Sequence, residues 1–403
     1  MQVARRRPPV RLVLAPLAAV AVLAASAGPG GAVEQRHSSA LARQVEAIHD
    51  TGVVGVAAET VAPDTRTGAR AGTAVRGTGR PVPARGRFRI GSATKTFTAT
   101  VVLQLAGEGR LSLADTVERW LPGVIRTSTH SPDRRRVTVR DLLQHTSGIP
   151  DLPRIPALSS ADGYRAERLR TYRPEQLVKM ALREPSAPQA RPAWSYSNTN
   201  YVLAAMIIRR VTGRSWAAEV EERIIRPLGL TDTSAPGTFP LVLGPHAHGY
   251  TAFGAGNELD VTVLDPSMAV GSGALISTVH DLDEFYRALL TGRLLKPAQL
   301  RAMTSTVPAA ELGPNLRYGL GLAEIPLSCG GTYFGHRGEL LGYRTWTGAT
   351  RDGARAASVY VTSDGGPDTE EAMLSLVDQH LCDADAQRLG GSARGRGRGG
   401  SGQ

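Results

Sequence analysis

The chain has 403 residues, of which 41% are hydrophobic and 21% are charged, and this composition suits one large globular domain or two closely joined ones. It excludes a disordered, collagenous or disulfide-scaffold protein. The net charge of +11 comes mostly from arginines in two acid-free segments at the ends of the chain, so no nucleic-acid partner is expected. These arginines are Arg5, Arg6, Arg7 and Arg11 near one end and Arg388, Arg394, Arg396 and Arg398 near the other.

The first 27 residues have the order of a secretory signal peptide. The basic segment is followed by an apolar run from Leu12 to Ala25 and then by the small residues Ala25-Ser26-Ala27. The run's 14 residues are too few for a transmembrane helix, which needs about 20. We therefore predict cleavage after Ala27 and a secreted, extracellular or wall-associated protein without a transmembrane segment. The alternative, a buried N-terminal helix, is disfavoured by Pro8, Pro9 and Pro16.

The cysteines and the C-terminal tail fit an exported protein. Cys329 and Cys382 are the only two cysteines, and an even pair in an exported chain predicts a disulfide rather than a catalytic thiol. The segment from 389 to 403 consists mainly of Gly, Ser and Arg, so we predict a disordered tail, either solvated or bound to anionic wall polymers.

Hydrophobic spacing along the body predicts a mixed α/β fold. A helix at 39–50 and a strand at 53–60 come first, and a second helix begins at or next to Ser92 and extends to Gly107. Helices are also predicted at 139–144, 198–211, 216–225, 282–290 and 369–381, and strands at 316–325, 333–347 and 357–362. This order indicates one domain at 28–388, with a sheet whose edge is completed from both ends of the chain. It also indicates a mostly helical insert at about 110–265, and the Pro/Arg-rich stretch 127–136 is predicted to be a surface insertion.

Ser92 and Lys95 form the first candidate catalytic pair. They lie three residues apart at a helix start, where i and i+3 side chains share a face. A serine hydroxyl needs a base, and a lysine is a base only if burial or nearby positive charge lowers its pKa. Only three lysines occur among 47 basic residues, so a lysine at this position is informative. The alternative is a serine N-cap followed by an exposed lysine.

Two further motifs carry candidate site residues. Tyr196 and Asn198 precede a helix and could face one cleft, although such residues are also ordinary capping material. In the strand-like stretch His336-Arg337-Gly338-Glu339, alternation places Arg337 and Glu339 on one face and His336 and Gly338 on the other. The glycine would let another backbone approach closely, whereas a lone histidine in a strand is more often structural than catalytic.

Taken together, the three motifs in this order resemble the serine penicillin-recognising superfamily of class C β-lactamases, low-molecular-weight penicillin-binding proteins and related esterases. The likeness is greatest to soluble exported D-alanyl-D-alanine carboxypeptidases, covers about residues 38 to 384 and includes the placement of both cysteines. Supporting stretches are Phe88-Arg89-Ile90-Gly91, Asp141-Leu142-Leu143-Gln144-His145-Thr146-Ser147-Gly148 and Tyr318-Gly319-Leu320-Gly321.

The resemblance implies an antiparallel sheet flanked by helices, with an acyl-transfer site beside a mostly helical region. Ser92 would be the nucleophile, with either Lys95 or Tyr196 as its base, and the backbone N–H groups of Ser92 and Glu339 would form the oxyanion hole. The remaining motif residues would bind substrate, namely Asn198, His336, Arg337, Gly338 and Glu339. The implied substrate is a peptidoglycan stem peptide or a β-lactam, and the protein would be a monomer without cofactor or metal.

Two departures from the carboxypeptidase pattern bear on the substrate. Relatives usually carry small hydroxyl residues where this chain has Arg337 and Glu339. Arg337 could replace a hydroxyl as partner of the substrate's free carboxylate through a charge-assisted bond, whereas an unpaired Glu339 would repel it. The arginine expected after Tyr318-Gly319-Leu320-Gly321-Leu322 is absent from Ala323-Glu324-Ile325. An esterase, an amidase or a β-lactamase on the same fold is the first alternative, and a non-catalytic penicillin sensor or wall-binding protein is the second. His246 and His248 lack an evident third ligand, so no metal site is predicted.

Overall fold

The computed structural model describes residues 29–125, 136–184, 194–254, 256 and 258–382. The predicted signal peptide, the predicted tail and all but the last residue of the predicted insertion at 127–136 lie outside the described residues. Among the described residues, no helix combines the length and apolarity needed to cross a bilayer.

The described strands form one large antiparallel sheet and two small two-stranded pairs. The large sheet has eight strands in the order β2-β1-β12-β11-β10-β9-β8-β7, whereas β3 pairs with β6 and β4 with β5. The strands are β1 (Gly55–Ala62), β2 (Thr65–Gly72), β3 (Phe88–Arg89), β4 (Tyr250–Thr251), β5 (Leu259–Asp260), β6 (Ile276–Ser277), β7 (Val307–Pro308), β8 (Arg317–Tyr318), β9 (Ala323–Pro326), β10 (Thr332–Leu340), β11 (Tyr343–Thr350) and β12 (Ala356–Val361). The predicted class, a mixed α/β fold with an antiparallel sheet flanked by helices, is confirmed.

The described helices lie on both faces of the sheet and in the region between β3 and β4. They are α1 (Pro29–His49), α2 (Thr94–Gly107), α3 (Val117–Trp120), α4 (Val139–Gln144), α5 (Ala161–Glu167), α6 (Pro174–Ala181), α7 (Asn198–Thr212), α8 (Trp216–Val220), α9 (Arg226–Leu228), α10 (Val279–Leu290), α11 (Pro297–Met303) and α12 (Pro367–Leu381). A π-helical turn joins α8 to α9. Helices α3 to α9 fall within the range predicted for the helical insert.

Alternation along the strands divides the core into two parts. On β12, Val359 and Val361 pack with residues of α1 and α12, while Tyr360 between them packs in the larger cluster that includes α2 and α10. A strand turns successive side chains to opposite faces, so the fully buried sequence of β12 serves both cores. Burial on both sides explains why every residue of β12 except Ser358 is hydrophobic.

Three predictions about strands are corrected. The stretch predicted as one strand at 333–347 is the β10–β11 hairpin, turned at Leu341 and Gly342, where Gly342 has a φ of 70°. The stretch at 316–325 is divided into β8 and β9. The edge strands of the described large sheet are β2 and β7, and β12 lies inside the sheet. One edge is therefore completed by the N-terminal hairpin β1–β2, whose second strand was not predicted, and not by strands from both ends of the chain. Periodicity alone does not reveal a tight turn inside an apolar run.

The predicted disulfide joins Cys329, just before β10, to Cys382, directly after α12. The two cysteines are 53 residues apart, and closing such a loop stabilises the fold by roughly 4 kcal/mol in the chain-entropy account. The link ties the end of α12 to the sheet beside the strand that carries His336.

Candidate active site

Ser92 lies in a 3-10 turn, Gly91–Ala93, that leads directly into the buried helix α2. Two glycines allow β10 to lie against this turn. A Cβ on Gly338 would come within 2.0 Å of the Ile90 carbonyl oxygen, and a Cβ on Gly91 within 2.5 Å of the Glu339 backbone nitrogen. The close approach explains the glycine of the third motif. It also places the backbone of Glu339 beside that of Ser92, as an oxyanion hole requires.

Lys95 is fully buried and its amine contacts three oxygen atoms. Nζ lies 2.9 Å from Ser92 Oγ, 2.7 Å from Asn198 Oδ1 and 3.0 Å from the Ser272 carbonyl oxygen. Burial lowers the pKa of Lys95 to about 7, against the opposing charge of Asp151. A neutral amine has two hydrogens and one lone pair. It can therefore donate to Asn198 and Ser272 while accepting the hydroxyl proton of Ser92.

Tyr196 completes the contacts of the serine hydroxyl. Its hydroxyl group lies 2.8 Å from Ser92 Oγ, and Lys95 Nζ lies 4.7 Å from the centre of its ring. Burial raises the pKa of Tyr196 above its ordinary value, so the phenol keeps its proton at neutral pH. The phenol can then donate to Ser92 Oγ while the Ser92 hydroxyl donates its own proton to Lys95. Lys95 and Tyr196, the two other side chains predicted to be catalytic, thus both lie within hydrogen-bonding distance of Ser92 Oγ.

Asn198 is held by an aspartate that sequence reasoning missed. Asp151 accepts from the Asn198 backbone N–H at 2.6 Å and from Asn198 Nδ2 at 3.1 Å. These bonds orient the amide so that its oxygen faces Lys95. Asp151 lies 47 residues from Asn198 in a loop, and only its place shortly after the singled-out stretch ending at Gly148 could have drawn attention to it.

His145 is a second buried group whose contacts sequence reasoning did not predict. Its ring centre lies 4.4 Å from that of Tyr196, and its Nδ1 accepts from the Ser197 backbone N–H at 3.2 Å. Burial, with the charge of Lys95, holds the pKa of His145 well below its ordinary value. The neutral ring therefore supports both Tyr196 and the turn that precedes Asn198.

His336 faces the cleft but does not contact Ser92. Its Nε2 lies 2.9 Å from the hydroxyl of Tyr318, and its Nδ1 contacts the Arg337 carbonyl oxygen. Burial lowers the pKa of His336 to about 3, with a further contribution from the charge of Lys95. His336 is therefore neutral at physiological pH. Tyr318 belongs to a stretch that the sequence analysis singled out, although without a role.

Arg337 and Glu339 are half-exposed and form an ion pair. The expectation of an unpaired Glu339 is therefore wrong. Arg337 lies 2.8 Å from Glu339 and 3.2 Å from Glu370 of α12. Arg344 of β11 lies 3.6 Å from Glu339 and 3.9 Å from Glu370. The four side chains form a network with equal numbers of positive and negative charges. Glu370 was not predicted, because α12 is distant from the motifs along the chain.

Two clefts meet at Ser92, which lines both. The large cleft, of about 970 Å³, lies between β10, the loop before β8 and α12, and its wall includes His336, Arg337 and Trp346. The small cleft, of about 340 Å³, has a lining of mixed polar and apolar residues. Its apolar lining is Leu152, Pro153, Ile155, Leu158, Met268, Ala269 and Leu340. The acyl part and the leaving group of a substrate extend in opposite directions from the reacting carbonyl carbon, so two clefts at one nucleophile suit acyl transfer.

His246 and His248 contact each other and a single aspartate. Their rings stack with centres 5.5 Å apart, and His248 Nδ1 lies 2.6 Å from an Asp260 carboxylate oxygen. Within the part of the chain that the structure describes, no group of three or more His, Cys, Asp or Glu residues is placed to hold a metal ion.

Several known proteins have a similar fold and a related sequence. Residues 39–381 match the Beta-lactamase family. A solved D-stereospecific amidohydrolase from Streptomyces sp. has a TM-score of 0.76 and 40% identity, covering 83% of this chain and 98% of that one. The D-amino acid amidase from Ochrobactrum anthropi SV3, solved with L-phenylalanine amide, has a TM-score of 0.74 and 27% identity, covering 88% and 99% of the two chains.

Among curated proteins, Penicillin-binding protein 4* of Bacillus subtilis (strain 168) is 27% identical over 314 residues, which are 75% of this chain and 66% of that protein's length. The family match covers most of the sequence, and solved structures with the same fold cover more than four fifths of it. The chain therefore belongs to the Beta-lactamase family, within the superfamily of β-lactamases and penicillin-binding proteins, and is a serine hydrolase of that family.

Proposed function

We propose that this protein is a D-stereospecific amidohydrolase that cleaves an amide bond of a D-amino acid derivative through an acyl-enzyme on Ser92. The observation that carries the proposal is the contact of the Ser92 hydroxyl with a buried lysine of pKa about 7 and with a protonated tyrosine. The named activity is supported by the solved Streptomyces amidohydrolase, with 40% identity over 83% of this chain.

The contacts assign a role to each side chain in acylation. Ser92 Oγ attacks the carbonyl carbon and passes its proton to the lone pair of Lys95, and the oxyanion is held by the backbone N–H groups of Ser92 and Glu339. Tyr196 donates its proton to the leaving nitrogen as the C–N bond breaks, and Lys95 returns a proton to Tyr196. Lys95 is the base because its pKa lies near neutrality, whereas burial raises the pKa of Tyr196.

Deacylation repeats these proton movements with water as the nucleophile. Water attacks the ester carbon and gives a proton to Lys95, and Ser92 Oγ regains a proton as the C–O bond breaks. Asn198, fixed by Asp151, orients Lys95 and presents a polar group to the substrate. His336 and Arg337 line the large cleft, so in this proposal they face the bound substrate.

Hydrolysis of D- and L-phenylalanine amide tests the proposal directly. We expect turnover of the D-enantiomer at least about tenfold faster, and an acyl adduct on Ser92 visible by mass spectrometry after rapid acid quenching. Ser92→Ala should abolish both turnover and adduct. The matched control is Ser305→Ala, because Ser305 is exposed and lines neither cleft. Turnover that survives Ser92→Ala, or an equal rate for both enantiomers, contradicts the proposal.

A D-alanyl-D-alanine carboxypeptidase acting on peptidoglycan stem peptides is the second candidate. The observation in its favour is the half-exposed guanidinium of Arg337 in the large cleft, which could bind a terminal carboxylate. Its pairing with Glu339 and Glu370 weakens that role. Release of D-alanine from a peptide ending in D-Ala-D-Ala would favour this candidate, as would stable labelling of Ser92 by benzylpenicillin. Fast hydrolysis of nitrocefin would indicate a β-lactamase, and turnover of a nitrophenyl ester alone would indicate an esterase.

We also propose that the enzyme acts outside the cytoplasm as a monomer. The basic, apolar and small segments of residues 1–27 support export, and a disulfide at Cys329 and Cys382 suits an oxidising compartment. N-terminal sequencing of protein recovered from the culture medium should begin at Gly28. Light scattering of the purified protein should give the mass of one chain, and a mass of two or more chains would contradict the monomer.

A further inference from the structure

The charges of the large cleft are unbalanced. Its lining includes five carboxylates and one guanidinium, and the Arg337–Glu339–Arg344–Glu370 network accounts for the guanidinium and two of the carboxylates. The remaining three are Glu311, Glu371 and Asp378. In the described part of the chain, none of these three has an arginine or lysine at ion-pairing distance. The cleft therefore carries excess negative charge.

These carboxylates line the same cleft as Ser92, Tyr196 and His336, so a substrate bound at Ser92 would lie near them. Glu311 approaches the site most closely, with its carboxylate 3.4 Å from the Tyr196 backbone nitrogen. Glu371 and Asp378 lie on α12. The cleft's volume of about 970 Å³ is at the upper end of the range for small-molecule sites. A single amino acid amide would leave most of this space empty.

The floor of the cleft suits a long, partly apolar cation. Leu312, Leu316, Ile325 and Leu374 line it together with the indole of Trp346. The indole Nε1 donates to Glu370 at 3.1 Å, and an aromatic ring in a cleft lined by carboxylates is a combination that recognises ammonium and guanidinium groups. The apolar stem of a lysine or arginine side chain could pack on the leucines while its charged end reaches the carboxylates.

We infer that the large cleft selects a peptide substrate with a cationic group in the part that occupies it. This inference rests on the proposed function, since it assigns the substrate class of the same site. A free carboxylate in this cleft meets repulsion from Glu311, Glu371 and Asp378, and the guanidinium of Arg337 is already paired. A positively charged residue gains attraction from the same groups.

Calorimetric titration of the Ser92→Ala protein tests the inference without requiring turnover. The probes are benzylammonium, benzyl alcohol and benzoate, which have similar size and differ in charge. We expect benzylammonium to bind about tenfold more tightly than benzoate, with benzyl alcohol between them. Sodium chloride at about 0.5 M should reduce this difference by screening the charges. Glu311→Gln, Glu371→Gln and Asp378→Asn together should remove the preference.

A matched control carries Glu46→Gln, Glu175→Gln and Glu184→Gln, which neutralise three exposed carboxylates outside both clefts. This control should keep the preference for benzylammonium. Asp378 accepts from the backbone N–H of Ser328 at 2.8 Å, so its substitution could disturb the fold. The pair Glu311→Gln and Glu371→Gln avoids this contact and should reduce the preference by about half on a logarithmic scale or more.

Two results would overturn the inference: benzoate binding as tightly as benzylammonium, and a preference unchanged in the Glu311→Gln and Glu371→Gln protein. Neither result depends on amide hydrolysis, because the nucleophile is absent. If D-phenylalanine amide is not hydrolysed by the unmodified enzyme but the preference for cations is present, the proposed function fails and the charge selection stands.

Discussion

The interior and the rim of this site handle charge in different ways. Lys95 and His145 are fully buried and Tyr196 is only partly exposed, and desolvation holds all three near or in their neutral forms at physiological pH. Arg337 and Glu339 at the rim have side chains 46% and 49% exposed and form an ion pair. The interior can therefore perform proton transfer, whereas the rim can discriminate substrates by charge. Substitution of the side chains that transfer protons should have large effects, and substitution at the rim small effects that depend on salt.

The largest effect is expected when the neutral amine of the interior is replaced by a permanent cation. Lys95→Arg introduces a group that keeps its proton at every accessible pH, so it cannot accept the proton of Ser92. We expect kcat/KM for D-phenylalanine amide to fall by about 10³-fold or more, because general base catalysis is lost and the fully buried site must hold a charge.

The matched control for Lys95→Arg is Lys296→Arg. Lys296 donates to the Gly107 carbonyl oxygen on the surface and lines neither cleft at Ser92. Its variant should keep the unmodified kcat/KM. Retention of more than about a tenth of the activity by Lys95→Arg would show that the base is another group, with Tyr196 the first to test.

A smaller effect is expected from changing the charge of the rim. Glu339→Thr removes one partner of Arg337 and one source of repulsion while the backbone N–H of residue 339 stays in place. We expect the ratio of turnover for a peptide ending in D-Ala-D-Ala to turnover for D-phenylalanine amide to rise by up to about tenfold. Glu175→Gln on α6 is the control, and a ratio that stays the same or falls would count against a selective role for the rim.

The smallest expected effect is a shift of the pH profile without a change in mechanism. Activity should rise as pH passes through about 7, where Lys95 loses its proton. Asp151 raises the pKa of Lys95 against the effect of burial, so Asp151→Asn should move the midpoint of the acid limb of kcat/KM to lower pH.

Asp151→Asn also weakens the support of Asn198, so the maximal rate should fall while the midpoint moves. The position of the midpoint separates an electrostatic role from a merely structural one. Asp162→Asn, which neutralises an almost fully exposed carboxylate on α5, should leave the midpoint unchanged. A midpoint at higher pH after Asp151→Asn would show that the acid limb does not report Lys95.

Short-range patterns in the sequence predicted much of the fold and the nucleophile. The i, i+3 spacing of Ser92 and Lys95 follows from helix geometry, and α4, α7 and α12 began and ended within two residues of their predicted bounds. Strands were harder, because the turn at Gly342 lies inside a stretch of strand-like composition and interrupts no period. Only the first strand of the β1–β2 hairpin was predicted, because β2 has mostly polar and small side chains and lies at a sheet edge.

The sequence by itself determined the order of the motifs, the helix that carries Ser92 and Lys95, and the predicted pairing of Cys329 with Cys382. Each of these depends on neighbours along the chain or on composition. Only the tertiary structure decided that Lys95 is buried against Asn198 and Ser272, that Asp151 opposes the effect of this burial on its pKa, and that α12 brings carboxylates to the large cleft. Desolvation and charge pairing depend on distances in space, and groups far apart along the chain set those distances.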